Sequence, residues 1–254
     1  MNVFTKLIYK LYEHQLWNEI KDYSPPDHIG IILDGNRRYA KKSGKDAAWG
    51  HMMGYEKVRE MLDWCLDLKI KNLTLYVLST ENFNRSEEEL KALFELIRKG
   101  CEEVKNDPRV HKNQVKITAI GRLFYLPEDC QAAIRDLEQA TSDYDSLHLN
   151  IAVAYGGRAE IIDSIKKIAE LVKSGEMQID DINEDLVQKY LYKQGPDPDM
   201  IIRTSGEKRL SGFLLWQSAY SELYFEEAYF PEFRKIDFWR AIRAYQHRER
   251  RFGT

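Results

Sequence analysis

Three features of the 254-residue sequence predict an α/β fold: a single domain with a mainly parallel sheet flanked by helices. Short apolar runs alternate with longer stretches of helical periodicity, the layout of β-α-β units. The step Asp34-Gly35, a good hairpin turn on its own, is followed by a helical pattern where a hairpin needs a second strand. Four apolar runs end in loops that combine arginine with glycine or small polar residues, and in open α/β sheets ligands sit outside the carboxyl ends of the strands.

Val3, Phe4, Leu7, Ile8, Leu11 and Tyr12 recur at helical spacing. They predict an amphipathic helix within residues 1–24, ahead of Pro25-Pro26 and of a domain over 25–254. Its apolar face suits peripheral contact with a membrane surface, or packing on its own domain or on a partner subunit. Ile29–Leu33 reads as the first strand, and the stretch from about Tyr39 to Leu68 as mostly helical. Leu73–Leu78 is the second strand. A helix over Ser86–Val104 follows, with Ser86 and Glu89 spaced as a capping box. Val115–Ile120 is the third strand, and Pro127 opens a helix from its favoured first position. Leu147–Val153 is a strand, and Arg158–Lys173 a helix stopped by Ser174-Gly175. A short helix over Glu184–Tyr192, short strands at Met200–Ile202 and Leu223–Phe225, and a helix from Phe238 to Arg250 complete the chain.

Bulk properties exclude several classes. A net charge of −3 is wrong for general nucleic-acid binding. No run is apolar for long enough to span a bilayer, and the start lacks a signal-peptide layout. Cys65, Cys101 and Cys130 are far apart and form no CxxC pair, and the six histidines show no HExxH spacing. Reduced, buried thiols and a cytoplasmic setting are expected. There is no GxxxxGK[ST], no GxGxxG after the first strand and no GxSxG elbow.

The four strand-end loops are Asp34-Gly35-Asn36-Arg37-Arg38, Ser79 to Arg85, Tyr155-Gly156-Gly157-Arg158, and Arg203 to Arg209. In a parallel sheet they share one rim. Arginine offers a planar fork to phosphate oxygens, and glycines with helix-start amides bring the backbone close to an anion. A carboxylate among such cations weakens anion binding unless it holds a divalent metal. Asp34 and Glu222 are the candidates, and Mg2+ suits a site with few protein oxygens. Singly, each residue has a plain alternative: Asp34 as a helix cap, Glu89 as a capping partner, Glu222 as a solvated strand residue, His51 as a helix-start histidine. Leu75, Val77, Phe83, Leu90, Leu93, Phe94, Leu96 and Ile97 are mostly core, and some are candidates for lining an apolar tunnel that starts at the rim.

Together, "HIGIILDGNRRYAKKSGK", "GHMMGYEKV", "LTLYVLSTENFNRSEEEL", "LNIAVAYGGRAEI", "IIRTSGEKRLSGFLLWQSAYSELYF" and "RERRFG" resemble the cis-prenyltransferase family of undecaprenyl diphosphate synthase type, archaeal members among them. The resemblance runs from His28 to the C-terminus. It implies condensation of isopentenyl diphosphate with an allylic diphosphate such as farnesyl or geranylgeranyl diphosphate, each new double bond cis, on a homodimer. The product would be a Z-polyprenyl diphosphate serving as precursor of a glycosyl-carrier lipid. It implies Asp34 as the magnesium-binding and catalytic aspartate, with Glu222 helping to hold the metal. Gly35, Asn36, Arg37 and Arg38 would cradle the allylic diphosphate, with His51 near the leaving group. Ser79, Asn82 and Arg85 would line the reacting end, with Asn82 a candidate in proton transfer. Arg203, Arg209 and Ser211 would hold isopentenyl diphosphate, joined across the dimer by the Arg251-Phe252-Gly253 end.

Ala47 stands where the family often has arginine. Tyr39 and Phe83 replace tryptophans and keep an aromatic at the substrate, and Ser86 replaces a frequent proline. These departures leave open a short-chain product or another acceptor. A trans-type synthase with DDxxD motifs is opposed by the β/α alternation, and its only decoy, Asp180-Asp181-Ile182-Asn183-Glu184, has no second copy. A non-catalytic partner subunit is opposed by the presence of Asp34, Asn36, Arg38, Arg203, Arg209 and Glu222.

Overall fold

The computed structural model describes residues 3–248. β1 (His28–Ile32), β2 (Asn72–Ser79), β3 (Val115–Ile120), β4 (Leu147–Tyr155), β5 (Met200–Arg203) and β6 (Glu222–Phe225) form one sheet in the order β3-β4-β2-β1-β5-β6. Every pairing is parallel. β1 is buried throughout, as expected of an inner strand covered on both faces. Alternation along the strands sorts the core in two. Ile29, Ile31, Leu73, Leu75, Ile117, Leu149 and Ile202 join the larger cluster. Ile32, Tyr76, Ile120, Ala152 and Ile201 form a smaller one with Phe213 and Leu214 on the other face.

The helices are α1 (Val3–Ile20), α2 (Asn36–Lys42), α3 (Ala47–Asp67), α4 (Glu87–Lys105), α5 (Pro108–Lys112), α6 (Glu128–Ala140), α7 (Gly157–Ser174), α8 (Glu184–Tyr190) and α9 (Lys235–Gln246). The stretch from Tyr39 to Leu68, expected to be mostly helical, holds the end of α2 and the whole of α3. Ser43 closes α2, Gly44 takes a left-handed φ of 66°, and Asp46 caps α3 by accepting the Trp49 N–H at 2.8 Å. Pro127 is the residue before α6, outside its first turn. Gly175 ends α7 in the left-handed conformation, as its position predicts. The last helix ends at Gln246, four residues before the expected limit.

α1 meets the domain through its second half. Leu16 and Ile20 are fully buried in the main core, and Trp17 packs on Trp239 of α9 with centroids 5.4 Å apart. Burying one such aliphatic side chain is worth about 1.5–3 kcal/mol. Leu7, Ile8 and Leu11, three of the residues that defined the expected apolar face, stay more than half exposed. Tyr12 of the same face does pack against the core and accepts from Arg240 at 3.1 Å, so the periodicity locates the helix and part of its contact. No described helix is long and apolar enough to cross a membrane. The three cysteines are buried and free, and burial pushes the Cys101 thiol up to about 12.

Candidate active site

The strands that carry the four arginine-bearing loops, β4, β2, β1 and β5, are consecutive in the sheet. Their carboxyl ends therefore form one continuous rim. The chain leaves β1 toward β2 on one side, while β5 and β6 lie on the other, so a topological switch point falls between β1 and β5. A polar cleft of about 910 Å³ opens there. Asp34, Gly35, Asn36, Arg37, Arg38, His51, Ser79, Asn82, Arg85, Arg203, Arg209 and Ser211 all line it.

Asp34 is at the switch point. Its backbone is pinned by Thr204 Oγ1, which donates to its carbonyl at 2.7 Å, and by the Phe230 N–H at 3.0 Å. One carboxylate oxygen accepts from Arg203 at 2.8 Å and the other from Arg38 at 3.1 Å. Burial pushes the Asp34 carboxyl up, but the Arg203 bond and charge, with Arg38, outweigh it and hold the group below the usual carboxylate range. Arg203 is nearly buried and also donates to Ser211 Oγ at 2.8 Å and to the Arg209 carbonyl. Glu207 accepts from both Arg38 and Arg209. Carboxylates thus occupy the guanidinium forks of Arg38, Arg203 and Arg209.

Gly35 turns the chain into α2 at φ 106°. A Cβ there would stand 2.8 Å from the Tyr229 ring and 3.0 Å from its Cα. Asn36 lies against α3, where a Cβ on Gly54 would come within 2.6 Å of its amide oxygen. That oxygen is buried with no protein partner. Ser79 and Asn82 cap the turn after β2 reciprocally: the Ser79 N–H donates to Asn82 Oδ1 at 3.1 Å and the Ser79 hydroxyl accepts from the Asn82 N–H. His51 is almost buried, and burial drives its imidazole below the ordinary range despite the opposing bond to Glu89.

Not every expected residue comes to the cleft. Tyr39 stacks on Trp49 with centroids 5.4 Å apart, and Phe83 packs on Phe94 and Tyr125. Neither lines the cleft wall. Glu222 begins β6, at the amino end of the sheet, and pairs with Arg248. Asp34 follows the carboxyl end of β1, so within one chain the two carboxylates do not share a site. Glu89 does not complete a capping box: it receives the Ser86 cap through its N–H, but its side chain turns to His51 and Arg85. Arg251 and Gly253 lie outside the described residues. Arg158, Thr80, Glu81 and Glu207 do line the cleft. All four were legible as members of the strand-end loops, although nothing in their type distinguished them.

Behind the cleft an apolar cavity of about 150 Å³ runs between the sheet and helices α3, α4 and α6. Leu33, Asn36, His51 and Val77 belong to both walls, so the two spaces adjoin. Leu75, Leu93, Leu96 and Ile97 line it as expected, and Gly100, Ile134 and Leu149 extend it. Phe83, Leu90 and Phe94 do not line it.

Residues 32–253 match the family model described as "Putative undecaprenyl diphosphate synthase". The chain is 51% identical over its whole length to a geranylgeranyl-diphosphate-specific tritrans,polycis-undecaprenyl-diphosphate synthase of Methanopyrus kandleri, 94% of which is covered. It is also 51% identical, over 97% of its length, to the enzyme of the same description from Methanocaldococcus jannaschii, with 89% of that protein covered. Lavandulyl diphosphate synthase from Lavandula x intermedia, solved with dimethylallyl diphosphate, superposes with a TM-score of 0.87 at 37% identity, covering 91% of this chain and 99% of that one. A probable undecaprenyl diphosphate synthase from Campylobacter jejuni gives 0.74 at 33% identity, covering 90% and 99%. The chain belongs to the undecaprenyl diphosphate synthase family, the cis-prenyltransferases that condense isopentenyl diphosphate with an allylic diphosphate.

Proposed function

We propose that this chain adds isopentenyl units in cis to geranylgeranyl diphosphate and releases a long Z-polyprenyl diphosphate, a precursor of a glycosyl-carrier lipid. The observation that carries the reading is the junction of the arginine-lined cleft with the apolar cavity. One space suits a diphosphate and the other suits the hydrocarbon attached to it. The choice of primer follows the two relatives at 51% identity, both named as specific for geranylgeranyl diphosphate.

In this reading Gly35 and Asn36 offer backbone approach to the allylic diphosphate, and Arg37, Arg38, Arg85 and His51 surround it. Arg203, Arg209 and Ser211 take isopentenyl diphosphate, completed by Arg251 and Gly253 across a homodimer. As the allylic C–O bond breaks, its electron pair goes to the diphosphate, and fixed guanidiniums stabilise that charge as it grows. The π electrons of isopentenyl diphosphate form the new C–C bond, and a proton then leaves to a diphosphate oxygen. Ser79 and Asn82 are the side chains offered to relay it.

Asp34 fits a magnesium site. It is a carboxylate of the cleft wall, held ionised by Arg203 and Arg38. The described residues contain no cluster of three or more metal-ligating side chains, so the remaining oxygens would come from phosphate and water, as Mg2+ prefers. When bound, Mg2+ adds positive charge to the leaving diphosphate.

Initial rates with Mg2+, labelled isopentenyl diphosphate and dimethylallyl, farnesyl or geranylgeranyl diphosphate in turn test the primer. The highest kcat/KM is expected with geranylgeranyl diphosphate, and a strong preference for a shorter primer would overturn that choice. Filling the cavity should shorten the product. Gly100 faces Tyr55, and a Cβ there would stand 3.1 Å from its ring. Gly100→Leu is therefore expected to move the product mass distribution to fewer units while leaving the first condensation active. An unchanged distribution would place the growing chain elsewhere.

A further inference from the structure

Glu89 lies in the first turn of α4, where an acid usually sits in water and gains from the helix dipole. Here its side chain is only 8% exposed and is the meeting point of groups from three other parts of the chain. Arg85, which closes the turn after β2, donates to it at 3.0 Å. The His51 ring of α3 is 3.1 Å away and the Arg37 guanidinium of α2 is 3.5 Å away. All three partners line the cleft, and Glu89 does not. The same helix supplies Leu93, Leu96 and Ile97 to the apolar cavity.

The geometry points to Glu89 as a positioning residue for the allylic diphosphate, acting through Arg85, His51 and Arg37; this rests on the reading above that these three receive that diphosphate. Two guanidiniums converging on one small space repel each other, and a shared buried carboxylate cancels the repulsion. It also holds long side chains in one arrangement before substrate arrives, so less ordering remains at binding. Arg37, 60% exposed and at the longest distance, is the partner most easily turned toward the ligand. Arg85 and His51 are the fixed pair.

The test uses the full chain with Mg2+ and geranylgeranyl diphosphate, first without isopentenyl diphosphate. Glu89→Gln is expected to weaken calorimetric binding of the allylic diphosphate about tenfold and to raise its KM in parallel. The KM for isopentenyl diphosphate should stay within about twofold, with little change in melting temperature. Glu89→Asp, which keeps the charge, should recover part of the loss. The combination of Arg85→Ala with Glu89→Gln should cost less than the two single losses added together, because one residue acts through the other. Wild-type affinity in Glu89→Gln, equal losses for both substrates, or fully additive losses would overturn the inference while leaving the proposed function in place. A wild-type chain with no affinity for any allylic diphosphate would overturn the proposed function and this inference with it.

Discussion

Asp34→Ala is expected to lower kcat by about a thousandfold and to leave a folded protein, as read by steady-state turnover and thermal unfolding. The contacts that place residue 34 in the fold are main-chain ones, to Thr204 and Phe230, and alanine keeps them. What it loses is the carboxylate at the switch point and the partner of Arg203, which is only 5% exposed at its side chain. Leaving that charge without its anion costs about 1–3 kcal/mol, a lowered melting temperature but not an unfolded chain. Asp34→Asn separates the two roles. It keeps an acceptor for Arg203 and should regain stability, yet a neutral amide is a poor ligand for a divalent cation, so turnover should stay low. Near-normal turnover in Asp34→Ala would remove this residue from the chemistry.

Gly35→Ala is the second large effect. A φ of 106° is costly for any residue with a Cβ, and Tyr229 closes the space that the Cβ needs, partly with backbone that cannot swing aside. The strain is about 1–3 kcal/mol, visible in urea unfolding. Relief must come from moving the start of α2, which carries Asn36, Arg37 and Arg38. A displacement near 1 Å can cost about a hundredfold in rate, so turnover should fall much further than stability does. Unchanged kinetics would mean that the helix start is not held in register with the reacting atoms.

The sheet was readable in the sequence because parallel inner strands are nearly continuous apolar runs; Val115–Ile120 was placed to the residue. Sharing of one rim by the four polar loops also followed from parallel topology alone. What did not follow was anything that depends on strand order and strand direction together. Glu222 carries the right chemistry, but it starts its strand where Asp34 follows one, and only the assembled sheet shows that they lie at opposite ends. Tyr39 and Phe83 had the right type and neighbourhood, yet each found another aromatic to pack on. The break between α2 and α3 left a trace in Ser43-Gly44. Glu89 was read as a local cap because its spacing from Ser86 is a local signal, whereas its partners are 38 and 52 positions away at His51 and Arg37 in sequence or beside it at Arg85.

In the proposed function the cleft and the apolar cavity are two parts of one site through which a chain grows. Mass analysis of the lipid formed from geranylgeranyl diphosphate and excess isopentenyl diphosphate with Mg2+ tests it most directly. A polyprenyl diphosphate extended by several five-carbon units is expected. A product that stops after a single addition, or a primer recovered unchanged, would contradict it.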